Sequence, residues 1–509
     1  MSLIKTFLQE GILIESSLLE FFKTNEIAPE LVDIIKGFDV HFLSKEFFYL
    51  NTDKIFTILE NIKQRKKDDE KKIIEDTIKL ISVFRKEEKE DKEFHEEKTE
   101  SNYKIIESWN VPSRKIYVED FANHFKSRLL LLKTILQERS ELQNLTAINK
   151  IPIQKQNVIS IIGLVTEKRV TKNNNIILEI EDFTGRISIL VNHTKEDVYK
   201  KAQQIIFDEV IGVRCSGSRE ILFANDILFP DSFATKKTSE KDECAAFISD
   251  VHLGSVNFLE NEFLKFIGWL NLESGNESQQ NDAKKVRYLF IAGDVVDGIG
   301  VYPGQEEMLK IKDVKEQYAK LAEFLGKIRK DITIFIIPGQ HDAVRLAEPQ
   351  PPIGKDYAPD LYKLKNVVLL SNPSVVEVNN KTVLMYHGDS FHDIIDNVES
   401  LRFSKARNTP SAVVKMILSK RHIAPTHSYS IYVPVLNEDP LVIREVPDIF
   451  ATGELHKPDV NSYNGTRIIA SSCWQSTTPH EEKIGNIPDP CKVPILNLKN
   501  NTVKIMDFS

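Results

Sequence analysis

The 509-residue chain is short of cysteine: there are four, Cys215, Cys244, Cys473 and Cys491, with no CxxC pair among them. That scatter argues against a disulfide framework and against a cysteine-held zinc site, and it suits a reducing, intracellular setting. No apolar run approaches the ~18–20 residues needed to span a bilayer. The N-terminal MSLIKTFLQEGILIESS has too short an apolar core and too many charges for a secretory signal. Positive charge is also lacking. Lys and Arg number 67 against 75 Asp and Glu, a formal net charge of -8. A protein that grips a nucleic-acid backbone over its whole surface is usually basic, so any such work here rests on a local basic surface or on a partner. What remains is an ordinary globular balance, 41% hydrophobic and 28% charged. The length suggests about two to four domains.

Residues 1–65 read as a helical domain. Apolar residues recur at helical spacing through LIKTFLQEGILIESSLLEFFKTNEIAPELVDIIKGF, SSLLEFF offers an N-cap, and Pro29 and Gly37 bracket a second helix. Residues 66–105 are mostly mixed charge and read as a linker or a solvated helix. Residues 106–149 read as a helical connector around VEDFANHFKSRLLLLKTILQER. From 150 to 238 short apolar runs alternate with turn-formers such as TKNNN and DFTGR, and KEDVYKKAQQI interposes a helix. Three strands, a helix and two strands in ~80 residues is the OB-fold pattern. Such barrels often bind single strands through aromatics on a basic groove, and this one offers few aromatics.

From 243 to 509 the rhythm is strand, loop, helix, which implies layered α/β architecture. Polar residues gather at the strand ends. SDVHLGS places Asp250 and His252 two apart on extended chain, where they project to one side and can share an ion. AGDVVDG brings Asp294, PGQHDAVR brings Gln340, His341 and Asp342, MYHGDSF brings His387, and TGELH brings Glu454 and His456. One such element alone is usually a turn or a cap. Five successive strand ends, each delivering an Asp, a His or an amide, point to a metal site at the carboxyl edge of a sheet.

This ordered series resembles the motif set of the calcineurin-type metallophosphoesterases: DxH, GDxxD, GNHD, H and GHxH. An OB-type barrel ahead of such a domain, with SDVHLGS, IPGQHDAVR, LSKRHIAPTH, VIREVPDIFATG and the ending VKIMDFS, resembles the small (B) subunits of archaeal family D DNA polymerases. The resemblance covers roughly residues 150–509 and is loose before that. It implies a multidomain fold: an N-terminal α-helical region, an OB-fold barrel, and a C-terminal layered β-sandwich flanked by helices. It also implies a 3′–5′ proofreading exonuclease with two divalent ions, Mn²⁺ foremost, with Mg²⁺, Fe and Zn as alternatives. The implied partners are a large catalytic subunit, in a heterodimer or heterotetramer, DNA primer-template 3′ ends, and the sliding clamp as a further candidate. The setting is cytoplasmic and nucleoid-associated, with no membrane. Carried over by position, Asp250, His252 and His456 hold the first ion and Asp294 bridges. Asp294, Gln340, His387 and Glu454 hold the second. His341 stands beside the scissile phosphate, and Asp342 orients it.

Two positions depart from the family pattern. Gln340 stands where the motif has Asn, and Glu454 where GHxH has its first His. Both fall on the second ion, while every implied ligand of the first is intact. Glutamate is a good hard ligand, but the extra methylene of Gln340 moves its amide by up to ~1.5 Å. Two readings therefore stand: an exonuclease with a retuned second site, and a scaffold subunit whose site is weakened or inactive. A stand-alone nuclease or phosphatase of the same fold is a third, though in those the catalytic domain normally comes first in the chain. Arg345 is a candidate phosphate contact. His392 reads as part of a helix start, and His422 and His427 as structural residues.

Overall fold

The computed structural model describes residues 102–509 apart from 112–113, 236, 429, 436–437 and 485, together with parts of the first 82. The charged run 83–101 and the expected cap at SSLLEFF lie outside the described residues. The chain divides into two compact units, residues 1–101 with 111–117, and residues 102–110 with 118–509.

In the first unit two short parallel strands, β1 (Leu13–Ile14) and β2 (Phe42–Leu43), accompany helices α1 (Glu30–Lys36) and α2 (Lys45–Lys63). Gly37 is the C-terminal cap of α1. Residues 70–82 are also helical. Phe7, Leu31, Ile35, Phe48, Ile55, Leu59 and Ile81 share one buried core.

The second unit opens with β3 (Tyr103–Ser108), which falls where the sequence reads as the end of a linker and the start of a helical connector. It is largely exposed along its length and pairs with a strand some 270 residues later, so no local pattern marks it. Helix α3 (Val118–Gln137) follows. Then β4 (Gln156–Val170), β5 (Ile176–Asp182), β6 (Gly185–Val191), β7 (Val210–Ser218) and β8 (Ile221–Leu228) close into a five-stranded barrel. Helix α4 (Glu196–Gln203) lies between β6 and β7 and sends Val198 and Ala202 into the barrel core. The β5–β6 hairpin turns at DFTG because Asp182 Oδ1 accepts from Thr184 N at 2.7 Å and Gly185 N at 3.1 Å, an Asx turn.

Beyond the barrel two six-stranded sheets stack. One has the order β12-β11-β10-β9-β18-β19 and contains β9 (Cys244–Ile248), β10 (Val286–Ala292), β11 (Thr333–Ile337), β12 (Val367–Leu369), β18 (Lys492–Asn497) and β19 (Val503–Asp507). The other has the order β16-β17-β15-β14-β13-β3, with β13 (Ser374–Val378), β14 (Lys381–Met385), β15 (Ile449–Thr452), β16 (Asp459–Tyr463) and β17 (Thr466–Ala470). The strands β9 to β12 are parallel and apolar on both faces, as strands covered on both sides must be. Their alternation sorts them: Phe247, Phe290 and Phe335 join Val383, Met385 and Ile449 between the sheets, and Ile248, Leu289 and Ile336 pack outward. The outward face meets α5 (Glu260–Leu270) and α7 (Val314–Gly326), the latter following α6 (Glu277–Lys285) in the chain. The second sheet's outer face is covered by α8 (Ser390–Asn397), α9 (Glu399–Phe403) and α10 (Pro410–Lys420). The result is a mixed α/β sandwich of four layers, and its strand ends converge on one edge.

Candidate metal centre

The loops leaving β9 and β10 are tied together by their backbones: Asp250 N donates to Gly293 O at 3.0 Å and His252 N to Asp294 O at 3.0 Å. Asp250, His252, Asp294, Glu454 and His456 all have left-handed backbone, with φ of 51°, 48°, 50°, 71° and 53°. Such conformations cost non-glycine residues of order 1–3 kcal/mol each and persist where surrounding structure imposes them. They turn the side chains off the strand ends into one buried cluster. Two glycines make room. A Cβ on Gly339 would meet Asp294 Oδ1 at 2.2 Å, and one on Gly293 would meet His387 Nδ1 at 2.4 Å.

Ligand-type atoms of Asp250, His252 and His456 lie within 4.8 Å of one another. So do those of His252, Asp294 and His341, and those of Asp250, Asp294 and His387. Asp294 belongs to two of these groups. Glu454 joins through His387, whose Nε2 is 3.3 Å from Asp294 Oδ2 and 3.0 Å from Glu454 Oε2. Gln340 is the exception. Its amide nitrogen donates to Asp389 Oδ1, on the flank of the cluster.

Three of the four histidines hydrogen-bond an oxygen through Nδ1: His387 to Ala292 O at 2.8 Å, His341 to Asp297 O at 2.8 Å and His456 to Glu481 Oε1 at 2.7 Å. That sets their hydrogen on Nδ1 and aims Nε2 inward, as metal-binding imidazoles require. His252 Nδ1 stands 3.2 Å from Asp297 Oδ1 without hydrogen-bond geometry. The Nε2 atoms of His252 and His456 stand 3.4 Å apart, and Asp250 Oδ1, buried and without a hydrogen-bond partner among the described residues, lies 3.4 Å from His456 Nε2. Three electron-rich atoms this close repel one another unless they share a cation. The donor set fits a divalent ion.

The electrostatics are those of a mixed cluster. Burial opposes charge on Asp294, but His387 and His341 beside it hold the carboxyl well below the usual range. Burial likewise opposes charge on His387, and Asp294 and Glu454 overrule it and raise its pKa well above the histidine range. Burial, with Glu454 nearby, pushes Asp389 up to about 7.

The Asp342 carboxylate accepts from Gly339 N at 2.8 Å, Val295 N at 3.3 Å and Tyr318 Oη at 3.0 Å, and so braces the loops on either side of His341 and Asp294. The His341 ring is held by Asp297, the second aspartate of GDVVDG. Arg345 spends its guanidinium on the carbonyls of Ala347 and Pro349. His392 belongs to α8, as a helix-start reading has it, yet its Nε2 also reaches Glu454 Oε1 at 3.2 Å. His422 is fully buried against Asp439 at 2.8 Å. Sequence reasoning missed Asp297, Asp389 and Glu481. The first two sit inside quoted motifs, while Glu481 lies 25 residues beyond the histidine it holds and carries no signal.

The model of a family described as the DNA polymerase alpha/epsilon B subunit matches residues 245–460, which span the cluster from Asp250 to His456. Polymerase accessory subunits are thus the class to which this sandwich and its strand-end site point. The chain is 41% identical over 397 residues to the DNA polymerase II small subunit of Methanothermobacter thermautotrophicus, covering 77% of this chain and 80% of that one. It is 34% identical over 468 residues to the Thermoplasma acidophilum protein of the same name, covering 90% and 92%. The match to the Pyrococcus furiosus protein is 38% over 410 residues, 79% of this chain and 66% of that one. The chain belongs to the family of archaeal DNA polymerase II small subunits.

Proposed function

We propose that the chain hydrolyses DNA phosphodiesters from the 3′ end, as the metal-dependent proofreading exonuclease of a replicative polymerase, and that it scaffolds the large catalytic subunit. The observation that carries this reading is the set of inward Nε2 atoms and carboxylates gathered around Asp294. Asp250, His252 and His456 would hold one divalent ion, His387 and Glu454 a second, and Asp294 would serve both. Mn²⁺ suits these hard carboxylates with imidazole. Such ions supply a hydroxide nucleophile and neutralise charge on the phosphate. Burial opposes charge on His341, but Asp294 beside it raises its pKa, so the ring tied at Nδ1 can carry a second hydrogen on Nε2 toward the cavity it lines and give it to the departing 3′ oxygen. We assign the five-stranded barrel to the OB fold.

Gln340 favours a second reading. Its amide nitrogen is tied to Asp389 on the flank of the cluster, which limits where the amide oxygen can reach, and a second site short of this ligand would leave a scaffold with a weakened site.

The test is exonuclease assay of the purified complex on 3′-mismatched primers with Mn²⁺ or Mg²⁺, beside Asp294→Ala. Activity that Asp294→Ala abolishes supports the nuclease. Activity surviving in that variant rejects the site, and no activity in either supports the scaffold.

A further inference from the structure

The cavity over the cluster extends well past it. Its volume is about 1130 Å³, above the roughly 300–1,000 Å³ usual for a small-molecule site. Two of its walls lie apart from the metal cluster. One is the loop after β10, where Ile299, Val301 and Tyr302 are 42%, 39% and 41% exposed. Three large apolar side chains within four residues are thus turned to solvent. The base of this loop is pinned to the site. Gly298 has φ 73°, and a Cβ there would meet His341 O at 2.2 Å. Gly298 N donates to Gln317 Oε1 at 2.9 Å. The Tyr302 and His341 rings are 6.3 Å apart.

The other wall is basic, and Arg402, Lys405 and Arg407 line it. Arg402 Nη1 donates to Asp396 O at 2.5 Å, and Arg407 Nη2 stands 3.6 Å from Asp396 Oδ1. These contacts set the two guanidinium groups and, among the described residues, leave most of their N–H donors unspent. Lys405 is exposed at the left-handed turn between them and makes no ion pair among the described residues. In a chain of net charge -8, three cations on the wall facing an acidic floor make a local track for phosphates.

We propose that this cavity is a single-strand subsite: Tyr302 stacks an unpaired base beside the reacting phosphate, and Arg402, Lys405 and Arg407 take the phosphates of the strand leading away. The proposal rests on the nuclease reading of the cluster and names the residues that would seat its unpaired 3′ end. A paired base has its faces covered by its neighbours. An unpaired one offers a face to an aromatic whatever its identity. Tyr302 therefore reads pairing rather than sequence, and arginine forks suit the phosphates that follow.

The test is binding of the full chain to a fluorescein-labelled oligo-dT single strand, followed by anisotropy in EDTA so that hydrolysis plays no part. Tyr302→Ala is expected to weaken binding about 5- to 10-fold. Tyr302→Phe keeps the ring and should bind as the parent does, and binding to a blunt duplex should not respond to Tyr302→Ala. Replacing Arg402, Lys405 and Arg407 together by Ala should flatten the log–log salt dependence by about 2 units, at ~0.7 per phosphate contact on a single strand. Undiminished binding by Tyr302→Ala, equal loss in Tyr302→Phe, or no single-strand binding by the parent would each overturn the proposal. The expected binding pattern in a chain without exonuclease activity would uphold the subsite and reject the nuclease reading alone.

Discussion

Glu454 Oε2 lies 3.0 Å from His387 Nε2, and Glu454 Oε1 lies 3.2 Å from His392 Nε2. The residue that departs most from the family motif is thus the one clamped between two imidazoles. Burial opposes its charge, and the two histidines hold its carboxyl well below the usual range. Glu454→Gln preserves the shape and removes the charge. If the two-ion proposal holds, a calorimetric titration with Mn²⁺ should give one ion fewer for this variant than for the parent. A parent-like stoichiometry would remove Glu454 from the ligand set.

Asp297 faces two histidines at once: its carboxylate lies 3.2 Å from His252 Nδ1, and its carbonyl accepts from His341 Nδ1 at 2.8 Å. Partners of metal-binding imidazoles are worth ~10–100-fold in affinity or activity. Asp297→Asn should therefore weaken Mn²⁺ binding by about that factor, and Glu481→Gln, behind His456, should do the same. Neither variant removes a ligand. Affinities within ~2-fold of the parent would show these contacts to be incidental.

Arg128 on α3 is fully buried and donates to Asp439 Oδ2 at 2.7 Å, to Pro425 O at 2.5 Å and to Asp208 O at 3.0 Å. One guanidinium thus joins α3, the barrel and the segment after α10. Removing one partner of a buried ion pair leaves the other charge uncompensated and costs about 3–5 kcal/mol. Asp439→Asn should lower unfolding stability in urea by that order. Mn²⁺ binding at 25 °C should stay as in the parent, since the pair lies outside the ligand set.

The same pocket predicts a pH dependence. His422 Nδ1 accepts from Ala424 N at 3.2 Å, and its Nε2 donates to Asp439 at 2.8 Å, so the buried ring is neutral. Burial and the Arg128 charge push its pKa down to about 4. An unfolded histidine titrates near 6.5. The folded value is the lower one, so this contribution is complete above pH ~6.5 and is lost as pH falls toward 4. At pH 5 the loss is of the order of 2 kcal/mol. His422→Asn should flatten the stability profile between pH 6.5 and 5 in urea unfolding, and a slope equal to the parent's would count against His422 as its source.

Much of the site is legible in the chain because its candidate ligands fall within a few residues of the ends of apolar runs. A parallel strand buried on both faces must read as continuous Ile, Phe, Leu and Ala, and a polar residue ending it must face the sheet's edge. CAAFISDVH and YLFIAGD say this without help from any other part of the sequence. The barrel's turns are legible for a similar reason, since Asp182 closes its own hairpin within three residues.

The rest needed the fold. Strand β3 owes its existence to β13, and its own residues are half exposed and unpatterned. The role of Asp297, the grip of Glu481 on His456, and the turning of Gln340 toward Asp389 depend on loops that meet only after the two sheets have stacked. Sequence alone determined which side chains reach the edge of the sandwich, because strand burial and period act locally. Tertiary structure decided which of them share a site, because left-handed backbone at five of them aims each side chain, and the contacts that hold such strained residues come from distant segments.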